Sequence, residues 1–125
     1  MNEKKRILLV DDEQAITHTL SLFLDHTGRY EVKAENKPYE ALRTARSFKP
    51  HLVLLDVSMP AMDGGEIAAL MQEDAELAGV TVVFLTGLIR PEETDGTGSE
   101  IGGHPFLAKP VDQQTLIACI EKYTE

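Results

Sequence analysis

Ile7-Leu8-Leu9-Val10-Asp11-Asp12 runs through four consecutive apolar residues and stops on two carboxylates. A strand with one wet face alternates apolar and polar residues. An unbroken apolar run suits a strand covered on both faces, as at the centre of a parallel sheet. The pattern recurs in Leu52-Val53-Leu54-Leu55, which stops on Asp56, and in Val80-Thr81-Val82-Val83-Phe84-Leu85, which stops on Thr86. Tyr30 to Glu35 reads as a weaker strand, approached through Gly28, with Val32 and Ala34 as its apolar side chains. Phe106-Leu107-Ala108 is a fifth, shorter candidate, followed by Lys109-Pro110.

Helical spacing fills the intervals. Ile16, Leu20 and Phe23 share one face, as do Ala41, Leu42, Ala45 and Phe48 behind Pro38. Asp63-Gly64-Gly65-Glu66 has the form of a capping box ahead of Ile67, Leu70 and Met71. Asp112 suits the N-cap of a last helix carrying Leu116, Ile120 and Tyr123. These stripes are read as core, and Cys119, inside the last of them, as a buried small hydrophobe. Alternating strands and helices imply an α/β fold with a doubly wound parallel sheet. The alternation weakens between Leu85 and Phe106, where Gly96, Gly98, Gly102 and Gly103 make a regular helix costly. A fourth helix is therefore expected to be short, within Pro91 to Asp95, or irregular.

Composition narrows the classes. At 125 residues, 42% hydrophobic and 26% charged, the chain has the size and make-up of one globular domain, taken as residues 1–125. No apolar run approaches the roughly 18 residues that span a bilayer, and Ile7 to Val10 is too short for a signal-peptide core. A cytoplasmic location without membrane contact is the expectation. A net charge of −9 repels phosphate backbones and argues against nucleic-acid binding by this domain. One cysteine excludes an intrachain disulfide. His18, His26, His51 and His104 lie on different elements without metal-ligand spacing, so surface or structural roles are expected of them.

In doubly wound sheets the working site lies beyond the carboxyl ends of the strands. That rule gathers Asp11, Asp12, Asp56, Thr86 and Lys109 at one edge. Singly, each has an ordinary structural explanation: a helix cap, a turn former, a solvated lysine. Together they describe three carboxylates that repel one another unless a hard divalent cation such as Mg²⁺ sits among them. A lysine point charge and a threonine hydroxyl beside that cluster suit a phosphoryl group.

The chain resembles the response-regulator receiver family over nearly its whole length. The likeness is carried by Ile7-Leu8-Leu9-Val10-Asp11-Asp12-Glu13, by Leu54-Leu55-Asp56-Val57-Ser58-Met59-Pro60-Ala61-Met62-Asp63-Gly64, by Phe84-Leu85-Thr86-Gly87 and by Phe106-Leu107-Ala108-Lys109-Pro110. The resemblance implies a flavodoxin-like five-stranded sheet in the order 2-1-3-4-5. It implies Asp56 as phosphoacceptor and Asp11, Asp12, Asp56 and the Ser58 backbone carbonyl as Mg²⁺ ligands. Thr86 and Lys109 would bind phosphoryl oxygens, Phe106 would be the switch aromatic, and Gly87 a small residue beside the acceptor. It also implies a cis Lys109-Pro110 bond, and slow to moderate autodephosphorylation because Ser58 and Leu88 carry neither acid nor amide. The phosphodonor would be a partner histidine kinase or histidine phosphotransfer protein, and the output a downstream protein or output domain. The domain would not be an enzyme in the usual sense, though it would catalyse its own phosphorylation. Activation would run through Thr86 and Phe106 to residues 88–103, which either order on activation or form a rigid glycine-rich loop.

Other classes fit less well. A flavin-binding relative of this architecture needs a Ser/Thr/Gly phosphate loop where Asp11-Asp12-Glu13 stands. An aspartate-nucleophile hydrolase commonly places a second carboxylate where Ser58 stands. A receiver that signals without phosphorylation would not need all of Asp11, Asp12, Asp56, Thr86 and Lys109.

Overall fold

The computed structural model describes residues 4–57, 64–87, 100–101 and 104–124. The elements run β1 (Lys5–Val10), α1 (Gln14–Thr27), β2 (Tyr30–Glu35), a 3-10 turn (Pro38–Glu40), α2 (Ala41–Phe48), β3 (Leu52–Asp56), α3 (Gly64–Glu73), β4 (Thr81–Thr86), β5 (Glu100–Ile101), β6 (His104–Ala108) and α4 (Gln113–Thr124). The sheet order is β2-β1-β3-β4-β6-β5. The five longer strands pair in parallel in the expected 2-1-3-4-5 sense, β6 serving as the fifth. A two-residue strand, β5, adds antiparallel to β6 through Glu100↔Pro105 and Ile101↔His104. Nothing in its two residues announces a strand; only the hairpin brings it to the edge. The expected short helix at Pro91 to Asp95 lies outside the described residues, as do Asp63 of the capping box and Ser58 and Leu88.

The apolar runs divide by the strand's period of two. Leu8, Val10, Val53, Leu55, Val82 and Phe84 face one way and pack with Ala41, Ala45, Ile67, Ala68 and Met71 of α2 and α3. Ile7, Leu9, Leu52, Leu54, Val83 and Leu85 face the other way and pack with Leu20, Leu24, Leu116 and Ile120 of α1 and α4. Every side chain of β3 is buried, since both of its faces are covered. The edge strand β2 is thinner: Tyr30 is buried, Val32 partly so, and Ala34 is exposed. Ala34 is too short to reach across the groove that Gln14, Thr17, His18 and Ser21 line on α1. Leu70, expected in the core, is 39% exposed, because the face of α3 that meets the sheet is taken by Ile67, Ala68 and Met71. Cys119 is half-buried rather than fully so, and burial pushes its thiol up to about 11.

The ends of the helices follow local rules. Gly28 closes α1 at φ 70°, donating its N–H to the Asp25 carbonyl at 3.0 Å. Pro38 opens a 3-10 turn ahead of α2 rather than the helix itself. Asp112 caps α4, its Oδ1 accepting from the Thr115 N–H at 2.7 Å. No helix among the described residues is long and apolar enough to cross a membrane.

Candidate phosphoryl and metal site

Strand register builds the site. Val10 pairs with Leu55, so the next residues, Asp11 and Asp56, emerge side by side. Asp56 pairs with Leu85, and Thr86 with Ala108, which sets Thr86 and then Lys109 along the same edge. Backbone bonds carry the order past the strand ends: Val57 N–H donates to Leu85 O at 3.0 Å, and Lys109 N–H to Thr86 O at 2.8 Å. The Lys109-Pro110 bond is cis, as the resemblance implies.

Asp11, Asp56 and Thr86 are buried polar residues, at 1%, 2% and 2% exposure, at the rim of an apolar sheet. Asp12 is more open to solvent. Asp11, Asp12 and Asp56 each offer a carboxylate oxygen, and these oxygens lie within 4.8 Å of one another. The Lys109 ammonium answers part of this charge: Nζ stands 2.9 Å from Asp11 Oδ2, 3.3 Å from Asp56 Oδ1 and 4.0 Å from Glu13 Oε1. Burial alone would lower the ammonium's pKa. The hydrogen bond and charge of Asp11, joined by those of Asp56, outweigh it and hold Lys109 above its ordinary value. One cation among three carboxylates leaves an excess of negative charge in a confined, oxygen-lined space. Hard oxygen donors and surplus charge are what Mg²⁺ requires, so the donor set fits that ion.

The remaining expectations fall out unevenly. Phe106 is half-buried, packs on the α2–α3 side of the sheet and pairs in register with Phe84. Gly87 is exposed, and a Cβ there would meet nothing within 4 Å, so packing does not demand a small residue. The close approach is instead at Gly64. A Cβ on Gly64 would overlap the Asp56 carbonyl oxygen and lie 2.9 Å from Val57 Cα. Its N–H donates to Val57 O at 3.1 Å, seating the start of α3 against the segment after Asp56. The glycine pair before Ile67 was the available signal for this contact, read earlier only as part of a cap. Asn36 was missed altogether; its amide reaches the Asp11 carbonyl at 2.8 Å. The histidines stay apart from the site: His51 Nδ1 accepts the Arg6 N–H at 3.0 Å, and His104 meets the Phe84 ring edge-on at 5.4 Å.

An open α/β sheet with an acidic, lysine-bearing pocket at its carboxyl edge defines a class of phosphate-handling domains. Within that class the assignment is direct: the response regulator receiver domain family matches residues 7–121, and the chain belongs to it. Protein PilH of Pseudomonas aeruginosa is 35% identical over 116 residues, covering 92% of this chain and 93% of PilH. The alkaline phosphatase synthesis transcriptional regulatory protein PhoP of Bacillus subtilis is 32% identical over 118 residues. That match covers 94% of this chain but 47% of PhoP, and Response regulator Rre1 of Synechocystis is likewise matched over 52% of its length. The chain thus spans about half of these longer relatives. Among solved structures, chemotaxis protein CheY4 of Vibrio cholerae superposes with a TM-score of 0.82 at 27% identity, over 97% of this chain and 99% of that one. The chain is therefore a receiver domain of the two-component response-regulator type.

Proposed function

We propose that residues 1–125 act as one phosphoacceptor switch, in which Asp56 takes a phosphoryl group from the phosphohistidine of a partner histidine kinase or histidine phosphotransfer protein. The supporting observation is the convergence of the Asp11, Asp12 and Asp56 carboxylates at the carboxyl edge of the sheet, with Lys109 against Asp11 and Asp56. An ionised Asp56 oxygen attacks phosphorus. The new P–O bond forms as the P–N bond to the donor imidazole breaks, and the imidazole takes up a proton as it leaves. Lys109, already 3.3 Å from Asp56 Oδ1, stays beside the reacting carboxylate and offers its N–H bonds to the incoming phosphoryl oxygens. The Thr86 hydroxyl, at the end of β4, donates to another. Mg²⁺ would be held by Asp11, Asp12, Asp56 and the Ser58 carbonyl, and when bound supplies positive charge that screens the carboxylate from its phosphodonor.

The product is an acyl phosphate, a new charge on a small domain. As Thr86 turns toward it, Phe106 has room to turn inward, and a downstream protein or output domain reads the altered surface. Water returns Asp56 to the free carboxylate slowly, because Ser58 and Leu88 bring no acid or amide to orient it. Neither nucleic acid nor membrane is a partner of this domain, in keeping with its net charge of −9.

Incubating the full chain with Mg²⁺ and acetyl phosphate, then measuring intact mass, tests the reading. Wild type should gain one phosphoryl group and Asp56→Asn none. Equal gain by the variant would move the acceptor elsewhere, and no gain by wild type would remove the proposal.

A further inference from the structure

Asn36 belongs to neither the acidic cluster nor the phosphoryl-binding pair, yet it holds the turn that carries two of the three carboxylates. Its Nδ2 donates to the Asp11 backbone carbonyl at 2.8 Å and to Thr17 Oγ1 at 3.0 Å. The Thr17 hydroxyl in turn donates a hydrogen bond to the Gln14 carbonyl at 3.1 Å. Each group has one role in this chain. A carbonyl oxygen only accepts, so the amide's NH₂, not its oxygen, must face Asp11. Thr17 is 3% exposed, which makes a lost partner costly there.

The surrounding bonds close the turn from both sides. Asp11 N–H donates to Glu35 O at 3.2 Å, tying the turn to β2. Asp11 Oδ1 accepts the Glu13 N–H at 2.9 Å, while Oδ2 takes Lys109. The Ile16 and Thr17 N–H groups donate to Glu13 O at 3.1 and 3.3 Å, tying it to α1. Asp12 therefore sits between two anchored residues. Packing holds its partly exposed side chain less firmly than it holds buried Asp11 and Asp56, so backbone anchoring decides where its carboxylate points. Groups that orient a metal's ligands without touching the metal commonly govern affinity.

We propose that Asn36, acting through the Asp11 carbonyl and the Thr17 hydroxyl, is a positioning residue for the Asp11–Asp12 turn and sets the domain's affinity for a divalent cation. This rests on the reading of the site given above. Mg²⁺ titrations by calorimetry on wild type, Asn36→Ala, Thr17→Val and Thr17→Ser test it, with ¹H–¹⁵N spectra following the Asp12 and Glu13 amides and the Asn36 side-chain NH₂. Asn36→Ala should weaken Mg²⁺ binding on the order of tenfold and shift the Asp12 and Glu13 signals. Thr17→Val should lose less, and Thr17→Ser, which keeps the hydroxyl, should match wild type. At saturating Mg²⁺ the phosphorylation rate of Asn36→Ala should return to within about twofold of wild type. A lower melting temperature with unchanged Mg²⁺ affinity would make Asn36 merely structural and overturn the proposal. So would Thr17→Ser binding as weakly as Thr17→Val, a comparison that stands even where Asn36→Ala fails to fold. Wild type that binds no Mg²⁺ would bring down the site reading itself.

Discussion

The two ends of the parallel sheet treat charge in opposite ways. At the amino ends of the strands, the cations meet acceptors and an opposite charge. Arg6 Nε donates to Lys49 O at 2.7 Å, His51 Nδ1 accepts the Arg6 N–H, and Arg46 Nε donates to Asp74 Oδ2 at 2.7 Å. At the carboxyl ends, three carboxylates crowd together with one lysine against two of them, Asp11 and Asp56, which are almost wholly buried. Pairing like charges serves no purpose in stability, since confinement in a low-dielectric rim strengthens their repulsion. The amino end is built for the fold and the carboxyl end for chemistry, and substitutions at the two ends should separate accordingly.

The largest effect belongs to the carboxyl end. Asp56→Asn should abolish phosphoryl gain, read by intact mass, while circular dichroism remains that of the wild type. Asp12→Ala should come next, weakening Mg²⁺ affinity by at least about tenfold by calorimetry. Equal affinities would break the contrast by removing the metal from the acidic end.

Gly64→Ala tests where the two concerns meet. The added methyl would collide with the backbone of Asp56 and Val57, which cannot yield as a flexible side chain does. A loss of about 1–3 kcal/mol in urea unfolding is expected, together with slower phosphorylation as the Asp56 segment is pushed aside. Stability lost with the rate untouched would assign Gly64 to the fold alone.

The amino end should answer to pH rather than to metal. The Arg46 guanidinium, and after it the Glu76 N–H, hold the Asp74 carboxyl below the ordinary carboxylate range. A carboxyl lowered in the folded state contributes stability that is full above its unfolded value, near 3.9, and fades as pH falls through the folded value. Asp74→Asn should therefore flatten the stability profile below about pH 4 and leave Mg²⁺ binding alone. An unchanged acid limb in denaturation curves would dismiss the pairing. The smallest effect is expected at Lys49, which ends α2 with φ 55°, a left-handed conformation that favours glycine. Lys49→Gly should stabilise by up to about 1 kcal/mol, because the conformational relief slightly exceeds the entropy glycine adds to the unfolded chain.

Much of this architecture is legible in the order of residue types. Leu52 to Leu55 is too short a run for a buried helix and lacks the alternation of a half-wet strand, so it reads as a strand covered on both faces. Asp11, Asp56, Thr86 and Lys109 follow their strands immediately, and parallel topology sends all such positions to one edge. Leu70 was misjudged as core because hydrophobicity sets which residues are candidates for burial, whereas burial depends on what packs opposite. Gly64 drew too little attention, because a glycine's letter is the same whether a turn or a neighbouring backbone requires it.

Local patterning by itself determined the strands, the helices and the set of side chains brought to the carboxyl edge. It did so because period and strand-end position are properties of neighbouring residues. Tertiary structure alone decided the rest: the β5 hairpin edge, the approach of Gly64 to Asp56, the share of Lys109 between Asp11 and Asp56, and the hold of Asn36 on the Asp11 carbonyl. The last three of these join residues 8 to 98 positions apart, at distances that only the packed sheet and helices set.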